Sequence, residues 1–410
     1  MDHSVSIVAA EERSKRKTAT IGYFAGFVAL GLAYAVLGPT LTDLAANVGT
    51  DLTGVAYVLS ARGLGYLVGS LVGGRLYDTI KGNPVMAGSL LVAAAVLLAM
   101  PFVSVLWLLV GLAFLLGAFL GAVDVGGNLL LVWLHRDRVG PYMNGLHFFF
   151  GVGAFLSPVI IAQAVTLTGG IRWGYWVLAV LLLPVVIFLA RIPSPSGASD
   201  DEARNPTRAE SQPRNTGSQH VRLVGLIALF FFLYVGAESS VGGWIATYAK
   251  TTGMGDAVTA AYLTSAFWGA MTVGRLLSVP LAARFSPRQV LAGDLAGCLA
   301  SVLALLVWMG NPIATWIGTF GAGLFMASIF PTAISLAEKH LKITGAVTSL
   351  LFVGASLGGM SLPLLIGQLF ESVGPSVTIL AIALAVLLDA LVLGLVLYST
   401  RKPQQEASHA

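Results

Sequence analysis

The chain has 410 residues, of which 56% are hydrophobic and only 10% charged, and its mean hydropathy is +0.84. About a quarter of the residues of a soluble domain are charged, so this composition excludes a chain whose whole surface faces water. The net charge of +4 comes from basic residues in short loops beside apolar runs, a sign of membrane topology. No nucleic-acid partner is therefore expected.

Twelve apolar stretches, each long enough to cross a bilayer as a helix, follow one another along the chain. Their predicted bounds are 21–46, 53–77, 84–102, 106–133, 142–166, 172–191, 222–249, 257–281, 288–309, 312–336, 344–370 and 375–399. Prolines and Gly-Pro or Asn-Pro pairs mark several boundaries. The sequence therefore predicts an all-α membrane protein of twelve transmembrane helices, with membrane lipid around it.

A polar stretch rich in Pro and Ser separates the sixth span from the seventh and is typical of a flexible linker. The predicted parts are a tail (1–20), a six-helix bundle (21–192), the linker (193–220), a second six-helix bundle (221–400) and a tail (401–410). Lys and Arg gather in the tails, the linker and every second loop, whereas the other loops hold only Arg172 and Lys250. By the positive-inside rule, both tails and the linker are expected in the cytoplasm, and the chain in the cytoplasmic membrane.

The two halves of the chain resemble each other at one constant offset of 205 positions, as between Gly31 and Gly236. Residue types that are rare in so apolar a sequence coincide in this register. They include Asp51 with Asp256, Tyr57 with Tyr262, Ser60 with Ser265, His135 with His340, Pro158 with Pro363, and Gln163 with Gln368. Because each half has six spans, the repeats are parallel and are expected to be related by an axis along the membrane normal.

Charged residues at membrane depth are costly and are functional candidates. Asp124 in the fourth span and Glu238 in the seventh stand far from the span ends and belong to opposite bundles. Both are predicted to couple an ion at a central cavity, since a carboxyl group there can carry a proton or ligate Na⁺. The alternative is a structural ion pair, for instance between Asp124 and Arg62, and Arg62 is interpreted as a gating or structural charge.

Polar and aromatic residues of the same spans are predicted to contact a solute. Amides donate and accept hydrogen bonds and so suit sugar hydroxyls, and aromatic rings can stack on the C–H faces of sugars. The predicted set is Asn128, Asn144, His147, Tyr234, Trp244 and Trp268. The alternative for each ring is a packing or interface aromatic, and for His147 a hydrogen-bonded packing residue.

The sequence contains no P-loop, metal-ligand cluster or nucleophile elbow. We therefore expect no enzymatic activity, no metal and no other cofactor, and the driving force must be an H⁺ or Na⁺ gradient or the solute's own gradient. The single cysteine, Cys298, lies in an apolar run, so no internal disulfide is possible and a small buried side chain is expected.

Residues 74–78 (Gly-Arg-Leu-Tyr-Asp), followed by Lys81 and Gly82, resemble the signature of the loop between spans two and three of the major facilitator superfamily. The usual basic run after the glycine is replaced by Asn83 and a proline. The resemblance implies a structural or gating role for Arg75 and Asp78.

Four further stretches narrow the resemblance to one branch of that superfamily. They are 61–66 (ARGLGY), 124–128 (DVGGN), 141–148 (PYMNGLHF) and 234–238 (YVGAE). Together they resemble the sugar-transporting branch that includes the fucose permeases and the sodium-dependent glucose transporter 1-like proteins. The resemblance implies the major facilitator fold. It also places Asp124 where the fucose permeases carry an acid implicated in proton coupling, and Asn128 where they carry its polar partner.

The sequence thus predicts a monomeric symporter that binds a hexose or related small polar solute between its halves and works by alternating access. One alternative in the same fold is a proton-driven exporter of drugs or metabolites. Alternatives of other classes are a membrane receptor or assembly protein without transport, and an integral-membrane enzyme, for which no catalytic constellation is visible.

Overall fold

The computed structural model describes residues 2–195, 218–341 and 345–400, and this part of the chain is built from α-helices without a strand. The fourteen α-helices are α1 Asp2–Tyr34, α2 Leu37–Val48, α3 Leu52–Thr79, α4 Gly82–Ala99, α5 Leu106–His135, α6 Gly140–Thr168, α7 Arg172–Arg191, α8 Ser218–Thr251, α9 Ala257–Arg284, α10 Pro287–Val307, α11 Pro312–Met326, α12 Ile329–Glu338, α13 Gly345–Val373 and α14 Ser376–Ser399. Most of the predicted linker and the predicted C-terminal tail lie outside the described residues.

Eleven described segments are long and apolar enough to cross a membrane, and the bent pair α1–α2 makes a twelfth. The predicted fold class, an all-α membrane protein of twelve spans, is confirmed. The first predicted span differs in detail, because α1 begins at Asp2, within the predicted tail, and the span bends by 41° between α1 and α2.

Proline explains both interrupted spans. Pro39 lacks an N–H, and its ring leaves no room for a helical hydrogen bond at the carbonyl of Ala35, four residues earlier. Ala35 lies between the end of α1 and the start of α2, so the span is interrupted there. Pro331 stands in the same relation to Ala327, at the break between α11 and α12. The two breaks free backbone carbonyls in the interior, which side chains of neighbouring helices then satisfy.

The helices form two bundles, each with its own hydrophobic core. The N-bundle (α1–α7) buries residues such as Phe27, Leu90 and Leu120, and the C-bundle (α8–α14) buries Phe231, Phe267 and Leu295. The bundles meet along α6 with α9, α3 with α13, and α2 with α8. The first two pairings are equivalent under the sequence repeat, as expected for two parallel six-helix repeats.

The helix ends define two sides of the molecule. We call the side that holds the connections 49–51, 169–171, 252–256 and 374–375 the distal side, and the side with the first and last described residues the terminal side. Repeat-equivalent residues shape the distal helix ends. Asp51 and Asp256 cap α3 and α9, each accepting a backbone N–H bond of 2.8 Å, and Gly169 (φ 74°) and Gly374 (φ 90°) end α6 and α13 in the left-handed region.

Candidate functional site

The predicted acid of the N-bundle, Asp124, sits in a polar cluster between α5 and α3. Asn128 follows one turn later, and its Nδ2 donates to Oδ1 of Asp124 at 3.2 Å and to the backbone carbonyl of Asp124 at 2.8 Å. The Tyr66 hydroxyl of α3 is a further hydrogen-bond partner of the carboxyl group. Asp124, Asn128 and Tyr66 are all half-buried.

Glycines bring α3 and α5 close enough for this cluster to form. A Cβ on Gly65 would collide with the backbone carbonyl of Phe114, and one on Gly117 with the carbonyl of Arg62. Only helices without side chains at these points can approach so closely. The close approach places Tyr66 of α3 against Asp124 of α5.

Arg62 contacts the end of α1 and not an acid. Its Nη1 donates to the Tyr34 carbonyl at 2.9 Å, and its guanidinium carbon lies 4.2 Å from the centre of the Tyr34 ring. That carbonyl is available because α1 ends at Tyr34. The ion pair between Asp124 and Arg62 that the sequence left open is not formed among the described residues, where Lys250 with Asp43 is the ion pair that joins the two halves.

The predicted acid of the C-bundle, Glu238, is half-buried on α8. Tyr234, one turn earlier, lies beside its carboxyl group, and the Tyr234 hydroxyl donates at 3.0 Å to the carbonyl of Met326, which the break between α11 and α12 has freed. Arg275 of α9 is the cation that faces Glu238. The Tyr234 side chain is thus buried and hydrogen-bonded to the backbone of its own bundle.

Arg275 links the C-bundle to the N-bundle. Its Nη1 donates to the His147 carbonyl of α6 at 3.0 Å, and its guanidinium lies 5.8 Å from the centre of the Phe150 ring. Arg275 was not among the residues that the sequence predicted for the site. Its position inside the apolar run of the eighth span, like those of Arg62 and Asp124 in their spans, was the signal that could have singled it out.

Beside Arg62, the two bundles enclose a small cavity. Tyr34, Ala35, Gly38 and Arg62 line it from the N-bundle; Ser239, Gly242, Gly243 and Trp268 line it from the C-bundle. The Trp268 ring meets Tyr34 and Phe150 edge to face, with centroid distances of 5.8 and 6.1 Å. The predicted solute contact Trp268 therefore lies at the centre of the interface, although its side chain is buried.

The other predicted solute contacts have different environments. Asn144 and His147 are exposed on the terminal half of α6. Trp244 is fully buried; its indole N–H donates to the Pro363 carbonyl at 3.0 Å, and its ring stacks on Phe370 with centroids 5.3 Å apart. In this conformation Trp244 packs α8 against α13 and presents no surface to a solute.

The remaining charges of the prediction, Arg75 and Asp78, are exposed at the terminal end of α3. Among the described residues, no group of three or more His, Cys, Asp or Glu side chains could hold a metal ion. Cys298 is free and buried in the core of the C-bundle.

On the distal side, a set of polar contacts joins the two bundles, and we call it the distal seal. Lys250 forms an ion pair with Asp43 at 3.1 Å and also donates to Thr42. The other contacts run from Ser60 to the Met360 carbonyl at 3.0 Å, from Ser265 to the Phe155 carbonyl, from Gln163 to the Tyr262 hydroxyl and from Gln368 to the Thr53 carbonyl at 3.2 Å.

Two contacts of the distal seal are equivalent to each other under the repeat. Ser60 corresponds to Ser265, and their acceptors Met360 and Phe155 correspond to each other at the same offset. The glutamines Gln163 and Gln368 are likewise equivalent. The repeat read from the sequence therefore describes how the two bundles meet.

Two bundles related by an internal repeat, joined along equivalent helices and each carrying a half-buried acid within its membrane-spanning part, are typical of a membrane transport protein. The family model described as Major Facilitator Superfamily matches residues 23–360 and 256–410, and the chain belongs to this superfamily.

Several relatives within the superfamily are transporters by name. The chain is 33% identical to sodium-dependent glucose transporter 1 of Xenopus laevis, covering 82% of this chain and 73% of that protein, and 31% identical to that of Homo sapiens, covering 84% and 72%. It is 26% identical to human major facilitator superfamily domain-containing protein 4A, with 87% of each covered. The resemblance to the branch that includes sodium-dependent glucose transporter 1 is confirmed.

The fold also matches a solved structure. A crystal structure of a mutant of the nucleoside transporter NupG superposes with a TM-score of 0.71, covering 93% of this chain and 99% of that one at 11% identity. At this identity the likeness shows the shared fold alone. The chain is an integral membrane protein of the major facilitator fold.

Proposed function

We propose that the protein is a symporter that moves a small polar solute, with a sugar favoured, across the cytoplasmic membrane by alternating access. Its tails face the cytoplasm, so the distal side faces outward, as the distribution of Lys and Arg supports. The names of the relatives, sodium-dependent glucose transporter 1, favour glucose or a similar hexose as solute and Na⁺ as the coupling ion, with H⁺ as the other candidate.

The observation that carries the proposal is the placement of Asp124 and Glu238. Each is half-buried, each belongs to a different bundle, and within the described residues neither is held in a salt bridge. Each instead lies beside tyrosine hydroxyl groups, and Asp124 beside an amide, which can accommodate the carboxyl group in either ionisation state. A carboxyl group that forms no salt bridge with a protein side chain is free to bind and release an ion during the transport cycle.

The terminal-half residues Asn144 and His147 add polar surface on the side where the bundles are proposed to open. Both are exposed, whereas Ser265 and Trp268 nearer the distal side are buried. In this conformation a solute would reach the centre of the interface past α6, from the side of the tails. The distal seal would have to break before solute enters from the opposite side.

Uptake into proteoliposomes tests the proposal. Labelled glucose and a panel of other sugars are offered under an imposed Na⁺ gradient and then under an H⁺ gradient, with Asp124→Asn and Glu238→Gln beside the parent. We expect accumulation in the parent under one gradient, and in at least one variant a collapse to exchange without accumulation, because a group that neither charges nor discharges cannot couple the ion.

Asp389→Asn is the matched control. This carboxyl group is also buried within the C-bundle but lies on α14, away from the interface between the bundles. We expect Asp389→Asn to keep gradient-driven accumulation. A parent that accumulates no sugar under either gradient, with both interface variants indistinguishable from it, would contradict the proposal, and efflux of amphipathic drugs would then be measured.

A further inference from the structure

Trp268 has an unusual hydrogen-bonding state for a buried side chain. Its side chain is 2% exposed, and among the described residues its indole Nε1–H has no hydrogen-bond partner. A buried polar group left unsatisfied destabilises the folded state, and each such group in a native protein calls for an explanation. Trp244, in the same bundle and equally buried, has its N–H satisfied by the Pro363 carbonyl at 3.0 Å.

The unpartnered N–H belongs to a ring that lines the central cavity. In this conformation the cavity has room for about one water molecule. Three glycines, Gly38, Gly242 and Gly243, form part of its wall, and Gly242 is the one that faces the indole: a Cβ there would lie 3.0 Å from Cζ2 and 3.7 Å from Nε1 of Trp268. The cavity would widen if the distal seal opened, because its walls come from both bundles.

Arg62 supplies a second donor group to the same cavity from the other bundle. Its side chain is 8% exposed, and among the described residues one of its N–H groups is engaged, by the Tyr34 carbonyl. A guanidinium carries five N–H donors and no acceptor. The cavity thus combines an indole N–H and a guanidinium, and no carboxylate among the described residues lies within salt-bridge distance of Arg62.

Such a wall suits an oxygen acceptor and repels a cation. The aromatic faces of Tyr34 and Trp268, which meet at 5.8 Å, add an apolar surface beside the donors. A sugar presents both features, since a hydroxyl oxygen can accept two hydrogen bonds while the ring C–H groups contact aromatic faces. The coupling ion is better placed at the carboxyl groups of Asp124 and Glu238.

We propose that Trp268 and Arg62 form a two-donor subsite that binds one hydroxyl oxygen of the solute, with one donor from each bundle. This inference rests on the proposed function and adds the residues that set its specificity. Because each donor belongs to a different bundle, the subsite is complete only while the bundles are close together at their centre. The subsite favours solutes that carry a hydroxyl oxygen at the ring position facing the two donors over analogues that lack it.

Deoxy sugars test this subsite. The parent is first shown to take up glucose, and the uptake of glucose is then compared with that of analogues lacking one hydroxyl each. A site built to hydrogen-bond a hydroxyl rejects the analogue without it. We expect Trp268→Phe, which keeps an aromatic ring and removes the N–H, to lower glucose uptake by roughly three- to tenfold. It should leave the uptake of one particular deoxy analogue unchanged.

Trp244→Phe is the matched control, because it removes a satisfied indole N–H from the same bundle. It should change the uptake of glucose and of all deoxy analogues by the same factor. Arg62→Gln should reduce discrimination against the same analogue as Trp268→Phe. Trp268→Met, which also lacks the donor, replaces Trp268→Phe if the phenylalanine variant does not fold.

The outcomes separate the two proposals. Loss of discrimination at one ring position, shared by Trp268→Phe and Arg62→Gln, supports the subsite. Glucose uptake by the parent with discrimination that neither variant alters overturns the subsite, assigns the cavity to a water molecule and leaves the symporter standing. A parent that takes up no sugar contradicts the proposed function and the subsite together.

Discussion

The distal seal and the centre of the interface share helices α3, α8 and α9, but they differ in how far their residues follow the sequence repeat. In the seal, Ser60 and Ser265 occupy equivalent positions of the two repeats and donate to equivalent carbonyls. At the centre, Asp124 corresponds to Ile329, and Glu238 corresponds to Ala33. The repeat is thus kept at the two serine contacts of the seal and lost at the two acids.

The difference has a physical reason. Two bundles that rock about a shared axis need matched contacts on both sides of that axis, or one side would open first. A solute without internal symmetry needs different groups on its two sides. The following substitutions test whether the seal works as a symmetric device, from the largest expected effect to the smallest.

Gly38→Ala, at the cavity wall one helical turn before Thr42 of the distal seal, should have the largest effect on closure of the distal side. A Cβ at this position would collide with the backbone carbonyl of Gly242, which cannot move aside as a side chain can. Overpacking of this kind costs about 1–3 kcal/mol, so the sealed state should lose about tenfold or more in population. Labelling of a single cysteine placed on the distal side should rise, and solute uptake should fall.

Gly243→Ala is the control, because Gly243 is equivalent to Gly38 in the repeat. Its Cβ would meet the flexible end of Leu59 at 3.1 Å. We expect a small change in labelling and uptake. Equal effects of the two alanines would contradict the view that α2 and α8 approach most closely where a glycine lies against backbone.

Ser60→Ala and Ser265→Ala should weaken the seal equally. Each removes one side-chain hydrogen bond to a carbonyl of the other bundle, worth about 0.5–1.5 kcal/mol. The double variant should show the sum of the two changes, because the sites are far apart and share no partner. Distance distributions between spin labels on the two bundles measure the population, and a large effect of one serine alone would break the symmetry.

Asp43→Asn should have a smaller effect that depends on salt. The Lys250–Asp43 pair measures 3.1 Å, with the side chains 22% and 35% exposed, and partly exposed pairs contribute about 0.2–1 kcal/mol. Distal labelling should rise slightly at low ionic strength and match the parent at high salt. Exchanging the pair, with Asp43→Lys and Lys250→Asp together, should restore most of the seal, and failure to do so would assign the contact to Thr42.

The smallest effect is expected at the helix caps of the distal side. Asp51→Ala and Asp256→Ala each remove a capping bond of 2.8 Å and should lower the melting temperature slightly and by similar amounts at pH 7. The backbone bond from Thr259 holds the pKa of Asp256 below its ordinary value. That contribution is therefore present at neutral pH and lost as the pH falls through the pKa of the folded state. The difference between parent and Asp256→Ala should accordingly vanish in acid, and a difference that grows in acid would contradict the cap.

The fold could be predicted because each span is a long apolar run with few charges, and the number and order of the spans follow from that alone. The breaks after Tyr34 and Met326 were missed, although Pro39 and Pro331 mark both. A proline inside an apolar run is compatible with a continuous helix, as Pro158 within α6 illustrates. Whether a helix bends there depends on the partners offered to its freed carbonyls.

The site could be predicted only in part. The scarcity of charge in the spans pointed to Asp124 and Glu238. Their places in the fourth and seventh spans put them in opposite bundles. The partners of Arg62 and Arg275 could not be predicted, because both arginines donate to backbone carbonyls, of Tyr34 and His147. A carbonyl is present at every residue, so the sequence gives no sign of which one accepts.

The seal's use of backbone acceptors has a consequence for how such a chain can vary in evolution. Met360 and Phe155 accept the serine hydrogen bonds with unrelated side chains, because those bonds use only their carbonyl oxygens. Their side chains pack on glycines of the other bundle, Met360 on Gly63 and Phe155 on Gly269. Substitutions at these two positions are therefore free of any demand from the hydrogen bond, provided that the new side chain fits against the glycine and the helices keep their path. The serines opposite them are not, since each hydroxyl has no substitute in the backbone. In families built on this plan, pairs of small hydroxyl residues at the repeat spacing should outlast the residues that they contact.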